Sequence, residues 1–149
     1  MKTSRVIRRA AELATPHRVT DGQKFHLKDV DPGDWFFRAH FFQDPVMPGS
    51  LGVEAMCQLL RWYLIDRGVG ADLPEPRFEP IALNEPLKWT YRGQIVPGDR
   101  LITVELEVLE IRGPAAFATA WLWVDGRRIY RVERFGVRVV AGTGSRSAR

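Results

Sequence analysis

Residues 36–66 read FFRAHFFQDPVMPGSLGVEAMCQLLRWYLID, and the fold turns on how this stretch is parsed. Asp44-Pro45 and Pro48-Gly49 break any regular element after His40, since proline lacks an N–H and glycine loosens the backbone. Beyond the break, Leu51, Val53, Ala55, Met56, Leu59, Leu60, Trp62, Tyr63, Leu64 and Ile65 cover most of a helical circumference. That pattern predicts a helix capped by Ser50, running to about Asp66 and stopping before Gly68, buried inside a domain. Glu54, Gln58 and Arg61 interrupt the apolar surface at i, i+4 and i+7, which puts all three on one stripe.

Upstream, Val6–Leu13 reads as a weak helix ended by Thr15-Pro16, and Lys24–Val30 as a short strand. Asp31-Pro32-Gly33-Asp34 has the composition of a turn. The aromatic residues that follow, Trp35, Phe36, Phe37, Phe41 and Phe42, are expected to lie mostly in the core. Downstream, the Pro-rich residues 69–86 read as a crossing loop with a short strand. Four strands follow, near Leu87–Gln94, Arg100–Ile111, Ala115–Val124 and Arg128–Val140. They are separated by Pro97-Gly98-Asp99, Arg112-Gly113-Pro114 and the hairpin signal Asp125-Gly126. A buried helix followed by an antiparallel meander is an α+β pattern. The Gly/Ser/Arg-rich residues 141–149 are expected to be a disordered basic tail.

The 149 residues suit one domain, and five Trp, three Tyr and eight Phe supply material for a core. No apolar run is long enough for a membrane span, and the N-terminus lacks the apolar segment of a secretion signal. The single cysteine, Cys57, makes no internal disulfide and fits a reducing cytoplasm. One Cys and three scattered His do not have the spacing of a structural zinc site, so no metal is expected. The net charge of +4 is concentrated toward the ends, in Arg5, Arg8, Arg9, Arg146 and Arg149. No basic run is interleaved with aromatics as in an RNA-binding sheet, so nucleic acid is not expected, and an acidic protein partner, such as a carrier protein, is equally compatible with this charge.

Three features carry chemistry. His40 is an imidazole able to act as a base near neutral pH, although a lone histidine among aromatics is commonly a packed core residue. The plain readings of Glu54 are a first-turn carboxylate favoured by the helix dipole, or a member of a solvated stripe with Gln58 and Arg61. Its functional reading is a carboxyl in an apolar pocket, kept protonated by burial and therefore able to act as an acid, with Gln58 one turn on as a supporting amide. Gly49, with no Cβ, lets a ligand approach backbone N–H groups at the helix start, where they can polarise a carbonyl. His17 and His26 lie among polar residues and attract no functional reading.

The string His40–Leu60, HFFQDPVMPGSLGVEAMCQLL, closely resembles the motif of hotdog-fold 3-hydroxyacyl-ACP dehydratases. Within these it is most similar to the 3-hydroxydecanoyl-ACP dehydratase/isomerase branch and its relatives in polyunsaturated fatty acid and polyketide synthases. Leu87–Pro97 is similar to that branch's strand after the helix, and Val124-Asp125-Gly126 adds a weaker likeness. The resemblance implies an antiparallel sheet wrapped around one long central helix over residues 25–140, after an N-terminal extension over 1–24. It implies His40 and Glu54 as the catalytic pair, Gly49 as the thioester-carbonyl binder and Gln58 as their support. It further implies dehydration of 3-hydroxyacyl thioesters to trans-2-enoyl thioesters. The chain would need no cofactor of its own, because the substrate rides on the phosphopantetheine of an acyl carrier protein. A homodimer, or a pair of hotdogs within one chain, is implied as well, with histidine and acid from opposite subunits.

Two features depart from the pattern. The isomerising branch has aspartate where this chain has Glu54, which leaves isomerisation open. Synthase-borne relatives often carry paired hotdogs, whereas this sequence holds one. A CoA-thioester hydratase, a thioesterase and a non-catalytic acyl-binding partner are the alternatives on this fold.

Overall fold

The computed structural model describes residues 23–142, so the helix expected over Val6–Leu13, His17 and the last seven residues lie outside it. The described elements are β1 (Gln23–Asp29), α1 (Phe36–Ala39), α2 (Gly49–Asp66), β2 (Arg77–Phe78), β3 (Lys88–Tyr91), β4 (Leu101–Arg112), β5 (Ala115–Val124) and β6 (Arg127–Val140). All strand pairings are antiparallel, in the order β1-β4-β5-β6. The free edge of β6 carries β3 along residues 130–133 and β2 at residues 139–140.

The turns form where their residues demand them. Asp31 accepts a hydrogen bond from the Gly33 N–H on its side chain (2.8 Å) and from the Asp34 N–H on its carbonyl (3.0 Å). Asp125 (φ 47°) and Gly126 (φ 80°) both occupy the left-handed region that a two-residue hairpin between twisted strands needs. The Asp125 carboxylate also accepts from the N–H groups of Arg100 and Leu101, tying the hairpin to the start of β4.

The sheet curls around α2, which contacts β4, β5 and β6. Ile102, Val104 and Leu106 from β4, Leu122 from β5, and Tyr130 and Val132 from β6 are buried with Met56, Leu60 and Leu64 of the helix. Ala116, Ala118 and Ala120 are fully buried on β5, and their small side chains leave room for the helix to approach the sheet. Three register shifts assist the bend: one in β4 between Val108 and Glu110, and two in β6, beside Ile129 and at Arg134, whose φ is 48°.

Several expectations need correction. The helix begins at Gly49 with Pro48 as its N-cap (φ −55°, ψ 129°), so Ser50 lies inside the first turn and makes no cap. Proline's fixed φ and missing N–H suit the lead into a helix, and this starts α2 earlier than the Ser50 signal implies. Glu54 consequently falls in the second turn. The helix is also not buried all round: Gln58, Ile65 and Asp66 are exposed, while Gly52, Met56, Cys57, Leu59, Leu60, Tyr63 and Leu64 form the buried side. Of the five aromatics around His40, Phe36 and Phe37 are buried, but Trp35 (64% exposed), Phe41 (55%) and Phe42 (91%) are not. The one-turn helix α1 turns Phe36 and Phe37 inward, while Trp35 precedes it and Phe41 and Phe42 follow it, outside the core.

Candidate active site

His40 closes α1, its backbone N–H bonding to the Phe36 carbonyl at 3.0 Å. The chain then swings outward and returns through the Asp44–Pro48 turn. That turn is pinned by burial of Val46 and Met47 and by a Met47 N–H to Ile95 carbonyl bond of 2.9 Å. This return brings the Val46 carbonyl oxygen to 3.1 Å from His40 Nδ1. A carbonyl only accepts, so Nδ1 carries the proton in this contact and Nε2 of the neutral ring keeps its lone pair. The imidazole is half-buried and packs against Phe41, with ring centroids 4.1 Å apart. A held Nδ1–H and a basic Nε2 together make a competent proton acceptor.

Glu54 is not in an apolar pocket. Its side chain is 41% exposed, and its Oε1 accepts from both Gln58 Nε2 at 3.1 Å and Arg61 Nη1 at 2.7 Å. Oε2 has no hydrogen-bond partner among the described residues, which leaves that oxygen available for chemistry. Arg61 is the more enclosed partner, at 19% exposed, and its Nη2 binds the Pro80 carbonyl. The polar stripe of the sequence is thus a connected network anchored to the loop beyond β2. Its anchor, Pro80, lies nineteen residues away and gives no local signal. No hydrogen bond joins His40 to Glu54 within the chain.

Gly49 opens α2, so its N–H has no acceptor within the helix. A Cβ built there would meet Tyr91 at 2.9 Å and Trp89 at 3.0 Å. One turn on, a Cβ at Gly52 would collide with the Tyr130 ring. Trp89, Tyr91 and Tyr130 form one wall: Tyr91 stacks on Tyr130 at 4.8 Å, and Trp89 meets each edge-on at 5.7 Å. The helix start is therefore seated on aromatic rings that the two glycines allow to come near. Burial, and after it the neighbouring Tyr91, push the Tyr130 hydroxyl pKa above its usual range. Sequence reasoning missed this wall, although Trp89 and Tyr91 alternate along one strand and so share a face.

Two other ionisable groups stand outside this arrangement. Cys57 is buried beneath the Glu54–Arg61 pair, and its thiol pKa is pushed up to about 11, mainly by burial. His26, on β1, has its pKa lowered by burial and then by Lys28. No cluster of potential metal ligands occurs among the described residues. No described helix is long and apolar enough to cross a membrane.

A curled antiparallel sheet holding one long helix, with a glycine-opened helix start beside a histidine turn, defines the chain as a hotdog domain. Solved structures share this architecture. A hypothetical thioesterase with coenzyme A from Streptococcus pneumoniae superposes with a TM-score of 0.61, covering 91% of this chain and 97% of that one at 11% identity. A mutant thioesterase from Pseudomonas aeruginosa gives 0.56, covering 84% and 79% at 12% identity. At these identities the likeness is one of fold alone. Within the hotdogs the family is specific: the FabA-like domain matches residues 5–133, and the chain belongs to that family. It is also 35% identical over 128 residues, 82% of its own length, to a polyunsaturated fatty acid synthase component from Thraustochytrium sp.. It spans only 8% of that relative's length.

Proposed function

We propose that the chain is a 3-hydroxyacyl thioester dehydratase acting on substrates presented by an acyl carrier protein. The observation that carries this reading is the 3.1 Å contact of His40 Nδ1 with the Val46 carbonyl, which leaves Nε2 as a base. Membership of the FabA-like family and the likeness to a polyunsaturated fatty acid synthase component support it. In this mechanism Nε2 takes the proton from C2 of the substrate. The free N–H of Gly49 binds the thioester carbonyl oxygen as charge builds on it. The C3–O bond then breaks as protonated Glu54 delivers its proton to the departing hydroxyl, leaving water and a trans-2-enoyl thioester. Likeness to the dehydratase family supports a site completed by a second copy, His40 from one and Glu54 from the other. Gln58 holds Oε1 so that Oε2 faces the substrate.

The ion pair with Arg61 favours a second reading, the reverse reaction. Paired with Arg61, Glu54 rests as a carboxylate and takes up a proton before it serves as the acid; in the reverse reaction that proton comes from the water adding to a 2-enoyl thioester. The same residues serve both directions. The test is incubation of the protein with a 3-hydroxyacyl thioester and, separately, with its 2-enoyl product, carrier-bound and CoA-bound, followed by mass spectrometry. Loss or gain of water that vanishes in His40→Ala and Glu54→Gln is expected. Turnover unchanged in both variants, or release of free thiol in place of water exchange, would overturn the reading.

A further inference from the structure

The pairing of β3 with β6 brings together two segments far apart in the chain. Thr90 lies opposite Arg131 and Tyr91 opposite Tyr130, and the Arg92 N–H bonds to the Ile129 carbonyl at 2.8 Å. Trp89 and Tyr91 are spent on the wall beside Gly49. Strand alternation therefore places Thr90 on the opposite face, and Arg92 follows directly after the strand. A cavity of about 440 Å³ is lined by Thr90, Arg92, Arg128, Ile129 and Arg131, together with Tyr130 of the wall.

Three guanidinium groups and no carboxylate line this cavity. Arg131 reaches the Glu133 carboxylate at 3.4 Å, an acid it shares with Lys88 at 3.5 Å. Arg92 and Arg128 have no carboxylate partner among the described residues; Arg128 lies over the Trp123 ring at 5.7 Å. Like charges gathered round a concave surface repel one another, and an anion held between them removes that repulsion. The guanidinium fork matches two oxygens of a phosphate, and the Thr90 hydroxyl adds a neutral donor. Ile129 and Tyr130 are buried, so the floor is fixed by the core while the arginines project from it.

We infer that this cleft binds the phosphate group of a phosphate ester. The inference does not depend on the dehydratase reading, since none of these residues belongs to the His40–Gly49–Glu54 set. Such a group arrives by two routes: as the phosphate of a thioester's pantetheine handle, or as part of a nucleotide.

The experiment is calorimetric titration of the full chain at low ionic strength with inorganic phosphate, 4′-phosphopantetheine, pantetheine and adenosine 3′,5′-bisphosphate. Saturable phosphate binding is expected, weakened roughly tenfold or more in Arg92→Gln and in Arg128→Gln, the loss of one charge-assisted contact. Arg100→Gln removes the same charge from an exposed site outside the cleft and is expected to leave binding unchanged. Preference for 4′-phosphopantetheine over phosphate, with pantetheine unbound, identifies the handle as the source; preference for the bisphosphate identifies a nucleotide. Absence of saturable phosphate binding would overturn the inference. So would equal affinity for phosphate and chloride, or an equal loss in Arg100→Gln. Melting curves of each variant verify that these exposed substitutions leave the fold intact.

Discussion

Arg61 Nη1 lies 2.7 Å from Glu54 Oε1 while Nη2 binds the Pro80 carbonyl, so one enclosed side chain ties the candidate acid to the loop beyond β2. The Arg61 Nε is buried with no partner among the described residues. The guanidinium is thus held at both Nη atoms and not at Nε.

Arg61→Met is expected to lower stability by about 1–2 kcal/mol, a modest figure because Glu54 is partly solvated and screened. Activity should fall further than stability, with kcat reduced and KM little changed, because the substitution frees Oε1 without touching His40 or Gly49. Thermal melts and steady-state kinetics on the same preparation check both; unchanged kcat would show that Arg61 does not position Glu54.

His40→Ala is expected to reduce turnover at least about a hundredfold, the usual scale of general acid–base catalysis. Only a half-buried ring is lost, so the melting temperature should move little. A mutant that melts normally and still exchanges water would remove His40 from the chemistry.

Gly52→Ala is expected to destabilise the chain by about 1–3 kcal/mol through overpacking, because the added methyl collides with the Tyr130 ring. Urea denaturation of this variant, beside Gly52→Ala/Tyr130→Leu, checks the cause: trimming the ring should recover part of the loss.

Alkaline pH should weaken the fold through Cys57. Its folded pKa, about 11, lies above the ordinary thiol value of 9.0, so the folded state holds the thiol proton more tightly than the unfolded chain does. This contribution is complete below pH 9 and is lost as the pH rises toward 11, amounting to about 2–3 kcal/mol in order of magnitude. Urea titrations of wild type and Cys57→Ala across that window should converge as pH rises. Parallel curves would show that the thiol does not titrate as its burial requires.

Phe37→Ala and Phe42→Ser make a matched pair. Phe37 is buried and should cost about 3–5 kcal/mol, whereas Phe42 projects from the surface and should cost less than about 0.5 kcal/mol. Chemical denaturation of both checks the placement of the two rings.

Much of the architecture can be read directly from residues whose effects are local. Asp125-Gly126, the Asp31–Asp34 turn and the apolar run after Gly49 each set their own backbone, and the strands they bound lie within a few residues of expectation. What depends on distant partners could not be read this way. The stripe of Glu54, Gln58 and Arg61 is legible from its helical spacing and is what surrounds Glu54, whereas its anchor at Pro80, nineteen residues from Arg61, is not. Exposure of Trp35, Phe41 and Phe42 depends on where a four-residue helix begins and ends, a feature composition does not encode. The aromatic wall and the arginine cleft both arise from the register of β3 on β6. Only the strand pairing brings residues 90–92 beside 128–131.

The bulge at Arg134 puts β6 in two different phases. Before it the core-facing residues Tyr130 and Val132 are even-numbered; after it Phe135, Val137 and Val139 are odd-numbered. A flat, evenly pleated β6 would turn one of these groups toward water, since one residue of slip exchanges the two faces. The strand can bury both groups only when it is kinked at this point, so its sequence disfavours straight pairing with another chain. Deleting Arg134 would bring Tyr130 and Val132 into one phase with the residues after it, leaving the shift beside Ile129 as the strand's remaining irregularity.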